Sequence, residues 1–215
     1  MSKFTIILGG DVTPTHRLSR QIAGSRVIAA DSGIRHAATL GLVPELWTGD
    51  FDSVADELRT AHKDIPTEIF PQDKDMTDGE IAVEAALARG AGELILVGAF
   101  GGPRADHALL HLTAAVALAE RGLDIVLTSG TQEGTPLETG HTHFDYAPDT
   151  LFSIIGFSDI SGLTLRGVRW PLTAHNVAFG SSLTLSNEVQ TGGLIVRLAA
   201  GRAMLMAHPH SFFAM

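Results

Sequence analysis

The chain has 215 residues, 45% of them hydrophobic, enough apolar material for one large core or two small ones. Its 15 Lys+Arg stand against 24 Asp+Glu, a formal net charge of −9, which argues against a nucleic-acid partner and leaves a small anion held through a metal ion compatible. The chain has no cysteine, which excludes disulfides and thiolate metal sites, and its apolar N-terminal run, residues 4–8, is far too short for an export signal or a membrane span; a soluble cytoplasmic protein without a membrane partner is expected.

From residue 4 to about residue 129, short apolar runs alternate with longer stretches of helical spacing, the pattern of βαβ units and a mostly parallel sheet. Strands are expected at 4–8, 27–30, 45–48, 67–70, 94–97 and 125–128, and helices at 15–23, 34–40, 54–63, 79–89 and 105–121. Asp78 is placed to cap the helix beginning at Gly79, and Gly90 and Gly122 stand where helices should stop. Beyond Thr128 the helical period does not return. Residues 129–136 have turn composition, and strands are expected at 143–146, 151–156, 162–166, 182–186, 193–198 and 203–207, with Gly201-Arg202 as a tight turn between the last two. The expected fold is an N-terminal, mostly parallel α/β sandwich domain, residues 1–135, followed by a small C-terminal all-β sandwich domain, residues 136–215.

Thr48-Gly49-Asp50-Phe51-Asp52-Ser53 sets two carboxylates two residues apart behind a glycine, at the carboxyl edge of an expected strand. Open α/β sheets bind ligands at that edge, and oxygen-rich clusters there suit Mg2+. A second acidic cluster, Asp73-Lys74-Asp75-Met76-Thr77-Asp78, follows the next strand. A lone Asp-x-Asp in a loop is most simply a solvated cap or turn; two clusters after successive strands favour a metal site. Gly9, Gly10, Gly33, Gly101 and Gly102 would let backbone N–H groups approach an anion, although neither Gly-x-x-x-x-Gly-Lys-Ser/Thr nor Gly-x-Gly-x-x-Gly occurs. Arg104 opens an expected helix, where a guanidinium and helix N–H groups suit phosphate, and Asp106 could cap that helix or orient Arg104. His107 and His111 lack the Glu and third ligand of a zinc protease, so His111 reads as a packed or surface histidine.

Ala30-Asp31-Ser32-Gly33, Gly49-Asp50-Phe51-Asp52-Ser53, Lys74-Asp75-Met76-Thr77-Asp78, Gly101-Gly102-Pro103-Arg104-Ala105-Asp106-His107, Gly167-Val168-Arg169-Trp170-Pro171-Leu172 and Leu185-Ser186-Asn187-Glu188 resemble, in order, the motifs of the thiamine pyrophosphokinase (thiamine diphosphokinase) family. One departure is Pro103, which intervenes in the family's Gly-Gly-Arg-x-Asp-His pattern. The resemblance implies an α/β domain that binds ATP, a β-sandwich domain, and a homodimer with active sites at the subunit interface. It implies Mg2+ on Asp50, Asp52 and Asp78, with Asp75, Arg104 and Asp106 also in the catalytic set. Gly9, Gly10, Asp31, Ser32, Gly33, Lys74 and His107 fall to ATP and its phosphates, and Trp170, Ser186 and Asn187 to thiamine. The implied reaction moves the diphosphoryl group of ATP to the thiamine hydroxyl, giving thiamine diphosphate and AMP. The alternatives are a diphosphokinase for another small alcohol, such as a hydroxymethylpterin, and a Mg2+-nucleotide sensor without turnover.

Overall fold

The computed structural model describes residues 2–51, 54–70, 75–190 and 192–209. The chain forms two compact units, one of Met1–Ala108 with Leu123–Gly130, the other of Leu109–Gly122 with Thr131–Met215. Among the described residues no helix is long and apolar enough to cross a membrane.

The first unit is built on β1 (Ser2–Ile7), β2 (Arg26–Ala30), β3 (Leu46–Gly49), β4 (Thr67–Ile69), β5 (Ala91–Val97) and β6 (Asp124–Thr128). They run β6-β5-β1-β2-β3-β4, every neighbouring pair parallel. The inner strands are largely apolar because a parallel sheet is covered on both faces; in β1, Phe4, Ile6 and Ile7 have no exposed surface, whereas the edge strand β4, Thr67-Glu68-Ile69, is exposed throughout. The helices between them are α1 (His16–Ile22), α2 (Ala37–Leu40), α3 (Asp56–Ala61) and α4 (Asp78–Ala88), and α5 (Ala105–Ala119) follows β5. The expected helix at 34–40 begins as a 3-10 turn, Asp31–His36, and is α-helical only in α2. From β1 the sheet grows outward through β2, β3 and β4, and then restarts on the other side of β1 with β5 and β6. The order therefore reverses between β1 and β5, and a crevice opens beyond the carboxyl ends of strands at such a switch point.

The second unit contains β7 (Glu133–Leu137), β8 (Gly140–Phe144), β9 (Leu151–Gly156), β10 (Ile160–Arg166), β11 (Leu172–Val177), β12 (Asn187–Glu188), β13 (Leu194–Leu198) and β14 (Ala203–His208). They form two antiparallel layers, β12-β9-β14-β7 and β11-β10-β13-β8. Their inner faces share one core that includes Phe152, Ile154, Leu163, Leu165, Leu194 and Leu205. This is the sandwich expected from the repeated short strands.

Three local expectations are corrected. Residues 182–186 are a turn: their apolar members Leu183 and Leu185 are 55% and 46% exposed, so the alternating leucines bury no apolar face, and Leu185 N–H bonds the Ser182 carbonyl at 3.1 Å. β13 and β14 are not a hairpin, since β13 pairs with β10 and β8 while β14 pairs with β7 and β9. The chain changes layers there, and Gly201, at φ +110, passes so close that a Cβ would meet the Asp159 carbonyl oxygen at 2.4 Å. β7 and β11 appear where no strand was expected: β7 is written in turn residues, Glu133-Gly134-Thr135-Pro136, and β11 is mostly exposed and lacks an apolar face.

Candidate active site

At the carboxyl edge of the first unit's sheet, β2, β3 and α4 each deliver one carboxylate. Asp31 follows β2, Asp50 follows β3 and Asp78 opens α4; one oxygen from each lies within 4.8 Å of the others, and all three residues are half-buried. Oxygens opposite one another on an octahedral Mg2+ stand about 4.2 Å apart, so a small closure brings this all-oxygen set into coordination range. The donor set therefore fits Mg2+. Asp52, expected beside Asp50, lies outside the described residues, as does Lys74.

The backbone around this cluster is held in costly conformations. Asp31 has φ +43 and Phe51 φ +62, a region that non-glycine residues occupy only when their surroundings enforce it. The enforcing group is Trp47, nearly fully buried, whose Nε1–H donates to the Asp31 carbonyl at 2.8 Å while its ring meets Phe51 edge-on at 4.7 Å. Arg59 donates to the Phe51 carbonyl and lies over the same ring. Asp78 is not the helix cap that its sequence position suggested. Thr77 is the cap, its Oγ1 accepting from Glu80 N–H at 3.3 Å while the Glu80 carboxylate accepts from Thr77 N–H at 2.8 Å. This reciprocal box satisfies the helix end and leaves the Asp78 carboxylate to join the cluster.

Gly9 and Gly10 form the turn after β1, at the switch point. Gly10 N–H donates to the Gly98 carbonyl at 2.9 Å, and Asp11 N–H to that of Phe100 at 2.9 Å, knitting the loop after β1 to the loop after β5. A Cβ on Gly10 would stand 2.3 Å from the Phe100 oxygen, so only glycine allows this approach. Asp11 also accepts from Gly102 N–H at 3.1 Å. Ser32 and Gly33 lie in the 3-10 turn that starts at Asp31. His36, the last residue of that turn, bonds the Gly10 carbonyl through Nε2 at 2.9 Å, and burial lowers its pKa.

Arg104, Asp106 and His107 stand exposed at the start of α5, and Asp75 is exposed just ahead of α4. Arg104 grips Asp106 with both arms, Nε to Oδ1 at 2.9 Å and Nη2 to Oδ2 at 2.7 Å. That hydrogen-bonded guanidinium holds the Asp106 carboxyl well below the usual carboxylate range. The Asp106 carboxylate both grips Arg104 and accepts from the backbone N–H groups of Asp106 and His107 in the first turn of α5, so much of the Arg104 charge is compensated.

In the second unit, Trp170 is 54% exposed. Its backbone is fixed by the buried Asn187 side chain, which donates from Nδ2 to the Trp170 carbonyl at 2.8 Å and accepts from Trp170 N–H at 3.1 Å. The Arg169 guanidinium lies 4.8 Å from the indole centroid. Ser186, exposed and at φ +56, donates its N–H to Ser153 Oγ at 3.0 Å. An aromatic face is thus presented to solvent by a rigid mount, the reverse of a core tryptophan.

Residues 21–127 match the family model described as thiamin pyrophosphokinase, catalytic domain, and residues 142–202 match the one described as thiamin pyrophosphokinase, vitamin B1 binding domain. Over 166 residues the chain is 30% identical to the thiamine pyrophosphokinase of Bacillus subtilis (strain 168), covering 75% of this chain and 77% of that protein. Among solved structures, a thiamine pyrophosphokinase from Bacillus subtilis superposes with a TM-score of 0.85 at 23% identity over 98% of this chain and 100% of that one. A thiamin pyrophosphokinase from Geobacillus thermodenitrificans does so with a TM-score of 0.80 at 26% identity, covering both chains completely at 100%.

Proposed function

The chain belongs to the thiamin pyrophosphokinase family, and from that premise we infer how its residues carry the family's reaction. It is an ATP-dependent diphosphotransferase that moves the diphosphoryl group of ATP to the hydroxyl of thiamine, giving thiamine diphosphate and AMP. The observation that carries the assignment of roles is the convergence of Asp31, Asp50 and Asp78 at the carboxyl edge of the sheet. Neither a pterin-type acceptor nor a sensor without turnover finds support among the relatives.

Residues 1–135 are taken as the ATP and Mg2+ part and residues 136–215 as the part that binds thiamine and dimerises, which accords with the spans of the two family models. Asp50 and Asp78, with Asp31 beside them and Asp52 two residues on, are the proposed Mg2+ ligands. Bound there, the ion would neutralise phosphate oxygens and hold the diphosphate in line with the attacking hydroxyl. Gly9, Gly10, Ser32 and Gly33 bring backbone close to the phosphates at the switch point, with Lys74 and His107 around the nucleotide. Asp75, Arg104 and Asp106 complete the catalytic set, the Arg104–Asp106 fork offering its outer N–H groups to phosphate oxygens. Trp170 stacks on thiamine, Asn187 holds it in place and Ser186 lines the same pocket.

The test is AMP release in the presence of MgATP and a panel of alcohols. Thiamine alone should give AMP and thiamine diphosphate in equal amounts; release of ADP, or turnover with a pterin alcohol in place of thiamine, would overturn the assignment. We further propose a homodimer with its active sites at the subunit interface. Trp170, Phe179, Leu183 and Leu185 expose large apolar side chains within one short stretch, a concentration that suits a covered surface. Light scattering at micromolar concentration should return roughly twice the 22.7 kDa chain mass. A fully active monomer contradicts the shared site.

A further inference from the structure

Arg35 lies beside the switch point, between the turn after β1 and the turn after β2. Its Nη2 donates to the carbonyls of Gly9 and, at 3.4 Å, of Gly10, while Nη1 donates to that of Ser32 at 3.4 Å. One guanidinium therefore straps the turn after β1 to the turn after β2. The side chain is exposed, and an exposed arginine ordinarily pairs with a carboxylate or roams in water. Arg35 does neither: among the described residues no carboxylate pairs with it, and its partners are neutral dipoles that orient the group without cancelling its charge.

Its neighbours are arranged to leave that charge in place. Arg104, the cation expected at the phosphates, is gripped by Asp106 and largely compensated. His36, beside Arg35, is driven towards its neutral form chiefly by burial and also by the Arg35 charge, with the Gly10 carbonyl and Asp11 acting the other way. A neutral His36 still donates from Nε2 to the Gly10 carbonyl and fixes the turn without adding a second cation. Asp31 begins the 3-10 turn that carries Arg35, so a carboxylate of the cluster and this cation stand on one short segment, four residues apart in sequence. A ligand spanning the two needs a metal-bridged anion at one end and an anion alone at the other.

We propose that Arg35 is a phosphate-binding residue of the nucleotide site, its guanidinium held by the Gly9, Gly10 and Ser32 carbonyls so that its remaining N–H groups and its charge meet the polyphosphate of ATP. This rests on the reading of that edge as the ATP site. His36 is a positioning residue for the same turn.

The experiment measures, by calorimetry, the binding of adenosine, AMP, ADP and ATP to the wild-type chain, Arg35→Met and Arg35→Lys, each with a melting curve. Arg35→Met should weaken ATP and ADP by roughly tenfold to a hundredfold, the size of a lost charge-assisted hydrogen bond, and leave adenosine within about twofold. Arg35→Lys, which keeps the charge and loses the fork, should fall between. Unchanged ATP affinity in Arg35→Met, or equal weakening of adenosine and ATP, makes Arg35 a structural strap and overturns the proposal. If Arg35→Met is too unstable to bind, Arg35→Lys decides by the same ratio of ATP to adenosine affinity. A wild-type chain that binds no ATP removes the nucleotide site itself, and the Arg35 proposal with it; wild-type turnover with an unaltered Arg35→Met removes the proposal alone.

Discussion

Replacing Asp50 by Asn should lower kcat for thiamine diphosphate formation by on the order of a hundredfold or more, and leave the fold intact. The substitution keeps volume and shape and removes one negative charge from three carboxylates whose oxygens lie within 4.8 Å of one another. Without metal those charges repel, so the variant's melting temperature without Mg2+ should equal or exceed that of the wild type. Adding Mg2+ should raise the wild-type melting temperature and raise that of Asp50→Asn less, because the stabilisation an ion gives grows with the logarithm of its concentration over its dissociation constant. The same pair of readings on Asp78→Asn should match. Near-normal turnover in both purified variants would sink the metal assignment; lost turnover with an undiminished Mg2+ response would move the carboxylates from metal binding to another part of the chemistry.

The second large effect is expected at Trp170. Trp170→Ala should raise the KM for thiamine roughly tenfold to a hundredfold, since stacking and cation–π contacts are each worth about 1–2 kcal/mol and about 1.4 kcal/mol is one decade. The KM for ATP should not move. Truncating a core tryptophan costs about 3–5 kcal/mol of stability, but this ring is 54% exposed, and the groups that fix its backbone belong to Asn187 and survive the substitution. The melting temperature should therefore fall by little. A large fall with an unchanged thiamine KM would show that the ring packs for stability and would remove the main local argument for thiamine binding.

The inner parallel strands were legible because a strand covered on both faces is largely apolar, as in Phe4-Thr5-Ile6-Ile7 and Leu94-Ile95-Leu96-Val97, and because they end at glycine or polar loops. The second unit was harder to read. β7 contains Gly134 and Pro136, residues that signal a turn, and holds its place through pairing with β14. β11 has no alternating apolar face to see. Residues 182–186 alternate as a strand should, yet Leu183 and Leu185 face solvent.

At the site, the acidic loops after β3 and before α4 could be read as a pair from spacing alone. That Asp31 completes the cluster could not, because its approach to Asp50 follows from β2 lying beside β3, with Ala30 opposite Thr48. The signal available was modest: an aspartate just past the end of an apolar run, in the same place as Asp50. Arg35 gave no signal, since an arginine in a helical stretch is most simply a solvated side chain and its partners are carbonyls of another loop.

Each unit is made of two separate pieces of chain, and this sets the order in which a nascent molecule can mature. β5 pairs with β1 on one side and β6 on the other, but β6 begins only at Asp124, after α5 has been made. At ribosomal speeds of about 5–20 residues per second, the outer edge of Leu94-Ile95-Leu96-Val97 stays open for roughly one to five seconds. An unpaired, flat, apolar strand edge is a template for foreign strands. The interval between the emergence of β5 and the arrival of β6 is therefore the period in which this edge is open to mispairing, and slow codons between residues 98 and 123 would lengthen it.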